Sequence, residues 1–160
     1  MAMTELDKLI AIEEIKKVKA RYFYCLDRKD WPGWKRDVFA ADARLHVPEF
    51  RPEPFVGIDT IIEWVAQAAG RQISVHHGHM PDIDIISADT AKGIWAMEDT
   101  LRYPMDRPGA YGYTYLHGYG HYHETYVRTA AGWRIQSTRL DRLYVEQHQI
   151  ALNQIRGPTD

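Results

Sequence analysis

The sequence predicts an α+β domain, with N-terminal helices packed on one face of a curved, mixed and largely antiparallel sheet. Three observations lead there. The apolar spacing is three to four residues in the first part of the chain and two residues in the second. The two-residue segments are long and joined by short turn-rich links, the mark of an antiparallel meander. The length of 160 residues, 45% of them hydrophobic, suits one domain with one core, expected over about residues 5–147 with a tail at 148–160. A bent sheet with helices across its open side forms a cone-shaped barrel, and a cone encloses a pocket.

The first helix is expected from Thr4 to Leu26. Thr4 and Asp7 resemble a capping box. Leu9, Ile12, Ile15, Val18, Tyr22 and Leu26 form its apolar face, and Glu13 with Lys17 an i,i+4 pair on the wet side. Asp30 caps a short second helix through Phe39, with Pro32 in its first turn and Trp31, Trp34 and Val38 on one face. Ala43–Val47 reads as a short strand, and 48–54, with Pro48, Pro52 and Pro54, as a loop. A third helix is expected at Asp59–Ala69, ended by Gly70. Strands are then expected at Gln72–Gly78, Asp82–Ser87, Ala91–Arg102, Tyr113–Thr129 and Trp133–Tyr144. Met105–Gly112 is a Pro/Gly loop, and Ala131-Gly132 a hairpin turn.

Composition removes several function classes. A formal net charge of −2 gives no electrostatic case for nucleic acid or an anionic membrane surface. No apolar run approaches the roughly 20 residues of a membrane span. The first ten residues carry early acids and no long apolar stretch, so a signal peptide is not expected and a cytoplasmic location is. Cys25 is the single cysteine, which excludes an internal disulfide and any all-cysteine metal site. Ten tyrosines, five tryptophans and eight histidines are the unusual part, and such rings suit a pocket wall as well as a core.

Alternation in 91–102 places Ala91, Gly93, Trp95, Met97 and Leu101 on the apolar face, together with Asp99. A carboxylate there must be partnered, protonated or at a wet strand end. It is therefore either a strand-end acid or a pocket acid. Asp27, just past the apolar face of the first helix, is either a solvent acid or the partner of a histidine. His76 and His77 point to opposite sides of a strand, so at most one lines the cavity, and parity does not choose between them. Ser74 and Gly78, on the His76 side, are small enough to leave room for a ligand. His121 and His123 have the His-x-His spacing of two metal ligands. Glu124 lies on the opposite face, so no metal site is expected, and a polar outer face or subunit contact is the plainer reading.

The run Arg21-Tyr22-Phe23-Tyr24-Cys25-Leu26-Asp27, then Asp30-Trp31 and Phe39-Ala40-Ala41-Asp42-Ala43, resembles the start of a SnoaL-like domain of the nuclear transport factor 2-like superfamily. The likeness continues through His76-x-Gly78-His79-x-Pro81, Ala91-x-Gly93-x-Trp95-x-x-Glu98-Asp99, Tyr122-x-x-x-Tyr126 and Gly132-Trp133-x-Ile135. Within the superfamily the chain is most similar to the bile-acid 7α-dehydratases, and more distantly resembles scytalone dehydratases, lindane dehydrochlorinases, ketosteroid isomerases and polyketide cyclases. The resemblance implies Tyr22, Asp27 and His76 as catalytic residues, choosing His76 over His77. It implies Asp99 and Arg142 as substrate-binding residues, and Trp95, in the pocket wall or core, is expected to contact the substrate with them. Tyr22 and Asp27 stand about 140° apart on a regular helix, so they converge only if the helix ends before Asp27. Arg142 has the opposite parity to Ile135, so a bulge or a strand end must intervene.

The implied function is a cofactor-independent lyase of the dehydratase type. Its substrate is a small hydrophobic cyclic hydroxy-ketone, steroid-like or polyketide-like. The alternatives are an isomerase or cyclase using the same base, or a non-catalytic binding or dimerisation domain. A homo-oligomer, dimer or trimer, is expected.

Overall fold

The computed structural model describes residues 3–109 and 112–149. The expected tail beyond residue 149, and residues 110 and 111 of the Pro/Gly loop, lie outside the described residues.

Helix α1 runs Glu5–Arg28, capped by a complete Thr4–Asp7 capping box. Its buried face is Ala11, Ile15, Val18, Tyr22, Cys25 and Leu26, and it also carries Lys19. Leu9 is exposed, so the apolar stripe holds only beyond the first turns. The wet side has Glu13 paired with Lys16 rather than Lys17. Helix α2, Trp31–Gly33, is capped by Asp30 and continues as a π-helical turn, Trp34–Val38. Strand β1 spans Phe39–His46, starting earlier than the apolar pattern suggested. The proline-rich loop leads to β2, Phe55–Val56, too short to leave a periodic signal. Helix α3 is Ile58–Ala69.

The two strands expected between 72 and 87 are one, β3, Ile73–Ile85, with a bulge between Gly78 and Pro81. Pro81 lies at this bulge and on an edge strand, the two settings in which a sheet tolerates a residue without an N–H. Strands β4 (Thr90–Arg102), β5 (Tyr115–Thr129) and β6 (Gly132–His148) complete an open six-stranded sheet in the order β2-β1-β6-β5-β4-β3. Strands β3 to β6 form the antiparallel meander, and β1 joins β6 in parallel. At the β5–β6 turn Gly132 takes a left-handed φ of 99°, which only glycine adopts without strain.

Strand β6 carries two bulges. The register passes from Tyr126↔Ile135 to Thr125↔Ser137, skipping Gln136, and from Gly120↔Arg142 to Tyr119↔Tyr144, skipping Leu143. Each skip reverses which residues face inward. The first turns Thr138, Leu140 and Arg142 toward the core, as the parity argument required. Helix α1 packs against both β3 and β6 and so lies across the inner face of the sheet. No described helix is long and apolar enough to cross a membrane.

Candidate active site

Between the helices and the inner face of the sheet lies a cavity of about 270 Å³. Leu26, Trp34, Leu45, Val65, Leu101 and Leu140 supply much of its apolar wall. Tyr22, His76, Asp99, Tyr122 and Arg142 bring polar groups to it. A mostly apolar cavity with a few convergent polar groups is the usual form of a small-molecule site. A second hollow, on the outward side of the sheet, is lined by charged residues such as Asp82, Asp84, Lys92 and Arg139 and lacks every residue of that polar set.

His76 and Asp27 meet. The His76 Nδ1–Asp27 Oδ1 distance is 2.6 Å. The His76 backbone N–H donates to Asp27 Oδ2 at 3.0 Å, and the Ser74 hydroxyl donates to Asp27 Oδ1 at 2.9 Å. Helix α1 does not end before Asp27; it continues to Arg28. Tyr22 and Asp27 therefore diverge, and the condition for their convergence is not met. Tyr22 lines the cavity and Asp27 does not, but Asp27 holds the back of the imidazole that does. His77 is on the exposed side of β3, so placement agrees with the choice of His76.

The phenols form a second group. Tyr22 and Tyr122 pack edge to face, with ring centroids 5.8 Å apart. Trp34 Nε1–H donates to the Tyr22 carbonyl at 2.9 Å, fixing that turn of the helix. Beneath both rings lies the ammonium of Lys19, 4.1 Å from the Tyr22 centroid and 3.6 Å from that of Tyr122. Lys19 is fully buried and donates to Glu124 Oε1 at 2.6 Å, which also accepts from Thr138 Oγ1 at 2.9 Å. The other Glu124 oxygen accepts from the Tyr126 hydroxyl, which accepts from Trp95 Nε1–H at 2.8 Å. Burial pushes the Lys19 ammonium down to about 8, with Glu124 opposing the shift. Burial holds the Tyr22 and Tyr122 phenols above the ordinary tyrosine range.

Asp99 is fully buried and accepts from Arg142 Nη2. It is a pocket acid and not a strand-end acid. Arg142 Nη1 also donates to Glu49 Oε1 at 3.1 Å, from the proline-rich loop. Burial presses on the guanidinium, but Asp99 and Glu49 outweigh it and hold Arg142 above its ordinary range. Asp99 Oδ1 and Arg142 Nε are both buried without a hydrogen-bond partner. The pair fits only because residue 118 is glycine. A Cβ there would stand 2.4 Å from Asp99 Oδ1 and 2.8 Å from Arg142 Nε.

Two expectations are corrected. Trp95 is not in the cavity lining; it is core, committed to Tyr126, so its expected substrate contact is not made. Gly78 leaves no room for a ligand, since a Cβ there would meet the Phe23 ring at 2.7 Å, and Ser74 is engaged with Asp27. His121 and His123 lie on the outer side of β5, half-exposed and exposed. No group of three or more His, Cys, Asp or Glu among the described residues is arranged to hold a metal ion.

Sequence reasoning gave no site role to Lys19, Glu124, Tyr122 or Glu49. The first two carried a signal. Lys19 sits four residues after Ile15 and three before Tyr22, on the buried face of α1, while Glu124 alternates with Tyr122 and Tyr126 on the inner side of β5. A buried basic residue and a buried acidic one on facing elements invite pairing.

A family model described as a SnoaL-like domain matches residues 7–139. Among solved structures, the chain is similar to a putative scytalone dehydratase from Novosphingobium aromaticivorans, at 19% identity, TM-score 0.77, covering 92% of this chain and 94% of that one. It is similar to a type 2 hexachlorocyclohexane dehydrochlorinase at 14% identity, TM-score 0.77, covering 95% and 100%. It also resembles a nuclear transport factor 2-like superfamily protein from Salmonella enterica at 17% identity, TM-score 0.71, covering 93% and 99%. These likenesses establish the α+β cone fold.

Proposed function

The chain belongs to the SnoaL-like domain family, and from that premise we propose that it is a cofactor-independent lyase of the dehydratase type. Its substrate is a hydrophobic cyclic hydroxy-ketone, steroid-like or polyketide-like, held in the 270 Å³ cavity. The observation that carries this reading is the 2.6 Å contact between Asp27 and the back of the cavity-lining His76. Similarity in fold to a putative dehydratase and a dehydrochlorinase supports the same class of reaction.

Asp27 keeps the imidazole proton on Nδ1 and leaves Nε2 as the base. His76 Nε2 removes a proton from the carbon next to the substrate carbonyl. The carbonyl oxygen gains negative charge and accepts hydrogen bonds from Tyr22 and Tyr122, whose raised pKa keeps both phenols protonated as donors. Asp27 stabilises the imidazolium that has formed. The carbon–oxygen bond one carbon further on then breaks, and His76 returns its proton to the departing hydroxyl. Water leaves, the enone remains, and the dyad is restored. Asp99 and Arg142 orient polar groups of the substrate.

The test uses a panel of cyclic β-hydroxy-ketones with product masses read directly. His76→Ala and Asp27→Asn should each lower turnover by about 10²–10⁴-fold while folded. Wild-type rates in both folded variants overturn the reading. The paired phenols support a second reading, isomerisation or cyclisation through the same enolate. Products that keep the substrate's mass decide for isomerisation.

A further inference from the structure

Outside the cavity lining, on the far side of Asp27, stands a contact that the elimination chemistry does not use. Lys29 closes α1 with φ 61° and ψ 30°, the one non-glycine among the described residues in the left-handed region. Glycine is the usual residue there, because a side chain adds strain. An observed strain of this kind asks what the side chain does. Here the Lys29 ammonium turns back under β3 and donates to Ser74 Oγ at 2.8 Å. Burial holds that ammonium below its ordinary range, and the charge of Asp27 opposes the shift.

The direction of these bonds is fixed by chemistry. An ammonium can only donate, so Ser74 Oγ accepts from Lys29 and its single proton is directed to Asp27 Oδ1. Asp27 then receives three donors: Ser74 Oγ, the His76 backbone N–H and His76 Nδ1. Ser74 is itself buried. Asp99, opposite His76 on β4, is tied to Arg142, and Asp30 caps α2.

We propose that Lys29 and Ser74 are positioning residues for the Asp27–His76 dyad: a Lys29–Ser74–Asp27 chain of hydrogen bonds orients the carboxylate and so holds His76 in the single tautomer with its proton on Nδ1. The inference rests on the dyad reading above. It adds that the charge behind Asp27, and not the carboxylate alone, sets the state of the base.

The experiment needs no substrate. In uniformly ¹⁵N-labelled protein the ring nitrogens of His76 report the tautomer by their chemical shifts. Wild type and Lys29→Arg, which keeps a cationic donor, should show the Nδ1–H form. Lys29→Met and Ser74→Ala should show a mixture of the two tautomers, with faster exchange of the ring proton. Lys29→Gly separates strain from chemistry: it should raise the denaturant midpoint, since glycine suits the left-handed cap, yet disturb the His76 spectrum as Lys29→Met does. A His76 spectrum identical to wild type in folded Lys29→Met and Ser74→Ala overturns the inference. Asp27→Asn tells the two failures apart. A His76 spectrum changed by Asp27→Asn but by neither Lys29→Met nor Ser74→Ala removes only the chain behind Asp27. A spectrum that Asp27→Asn also leaves unchanged removes the dyad with it.

Discussion

Among the described residues two carboxylate–cation pairs are buried, and they are built on opposite terms. Lys19–Glu124 is sealed: the ammonium lies against the faces of Tyr22 and Tyr122, and both carboxylate oxygens have donors from Lys19, Thr138 or Tyr126. Asp99–Arg142 lines the cavity and leaves one atom of each partner unpaired. Buried polar groups are normally satisfied, so an incomplete pair asks for an explanation that a complete one does not. The complete pair holds α1 to the sheet. The incomplete one borders the cavity, with its two unpaired atoms packed against Gly118.

The largest expected effect is on the sealed pair. Lys19→Met strands a buried carboxylate and should cost about 3–5 kcal/mol in denaturant unfolding, while Lys19→Met with Glu124→Gln should recover part of that loss. Arg142→Met strands Asp99 at the wall of a cavity, where side chains have room to readjust. It should cost less, about 1–3 kcal/mol, and act mainly on turnover. Equal destabilisation by Lys19→Met and Arg142→Met would break the contrast.

Acid–base linkage sharpens it. Lys19 binds its proton less tightly folded, with a value of about 8, than in the unfolded chain, whose ordinary lysine value is 10.5. Between those values the unfolded state holds more protons, so this group makes stability rise with pH across that window. The slope is at most about 1.4 kcal/mol per pH unit for one proton. Comparing unfolding at pH 8 and pH 10 in wild type and Lys19→Met should show the rise only in wild type. The smallest effect is at Trp95. Trp95→Phe removes one buried hydrogen bond, at a cost of about 1 kcal/mol, and should leave KM unchanged because the side chain lies outside the cavity lining. A raised KM would return Trp95 to the site.

Periodicity carried the architecture well, because both signals it reads, a helical stripe and a strand alternation, arise from burial. It placed Asp99 on the inner face of β4 and, once the resemblance put Arg142 in the site, called for a bulge or a strand end in β6, of which the structure has the bulge. It left Lys19 and Glu124 unpaired: Lys19 was not counted on the stripe of α1, and Glu124, set on the face opposite His121 and His123, was not matched with a partner on a facing element. It split β3 in two, because Pro81 breaks a strand in isolation and not at a sheet edge. It gave no account of Glu49, whose contact with Arg142 depends on where an aperiodic loop folds back. His76 and His77 were distinguished by resemblance, not by spacing. The separation of Tyr22 from Asp27, about 140° on a regular helix, was legible in the sequence; that α1 runs on past Asp27, so that only His76 carries the dyad into the cavity, was not.

The parallel pairing of β1 with β6 sets Arg44 beside Ser137. That junction joins an early strand to the last one, while the intervening meander forms through neighbours in sequence. Leu45 hangs from β1, Glu49 follows it, and Leu140 and Arg142 hang from β6, so the cavity wall spans the junction. Contacts between distant segments form slowly, because a long loop must close before they contribute. On the ribosome, the chain can therefore assemble its hairpins while the pocket stays unfinished. The site becomes a site only when the last strand arrives.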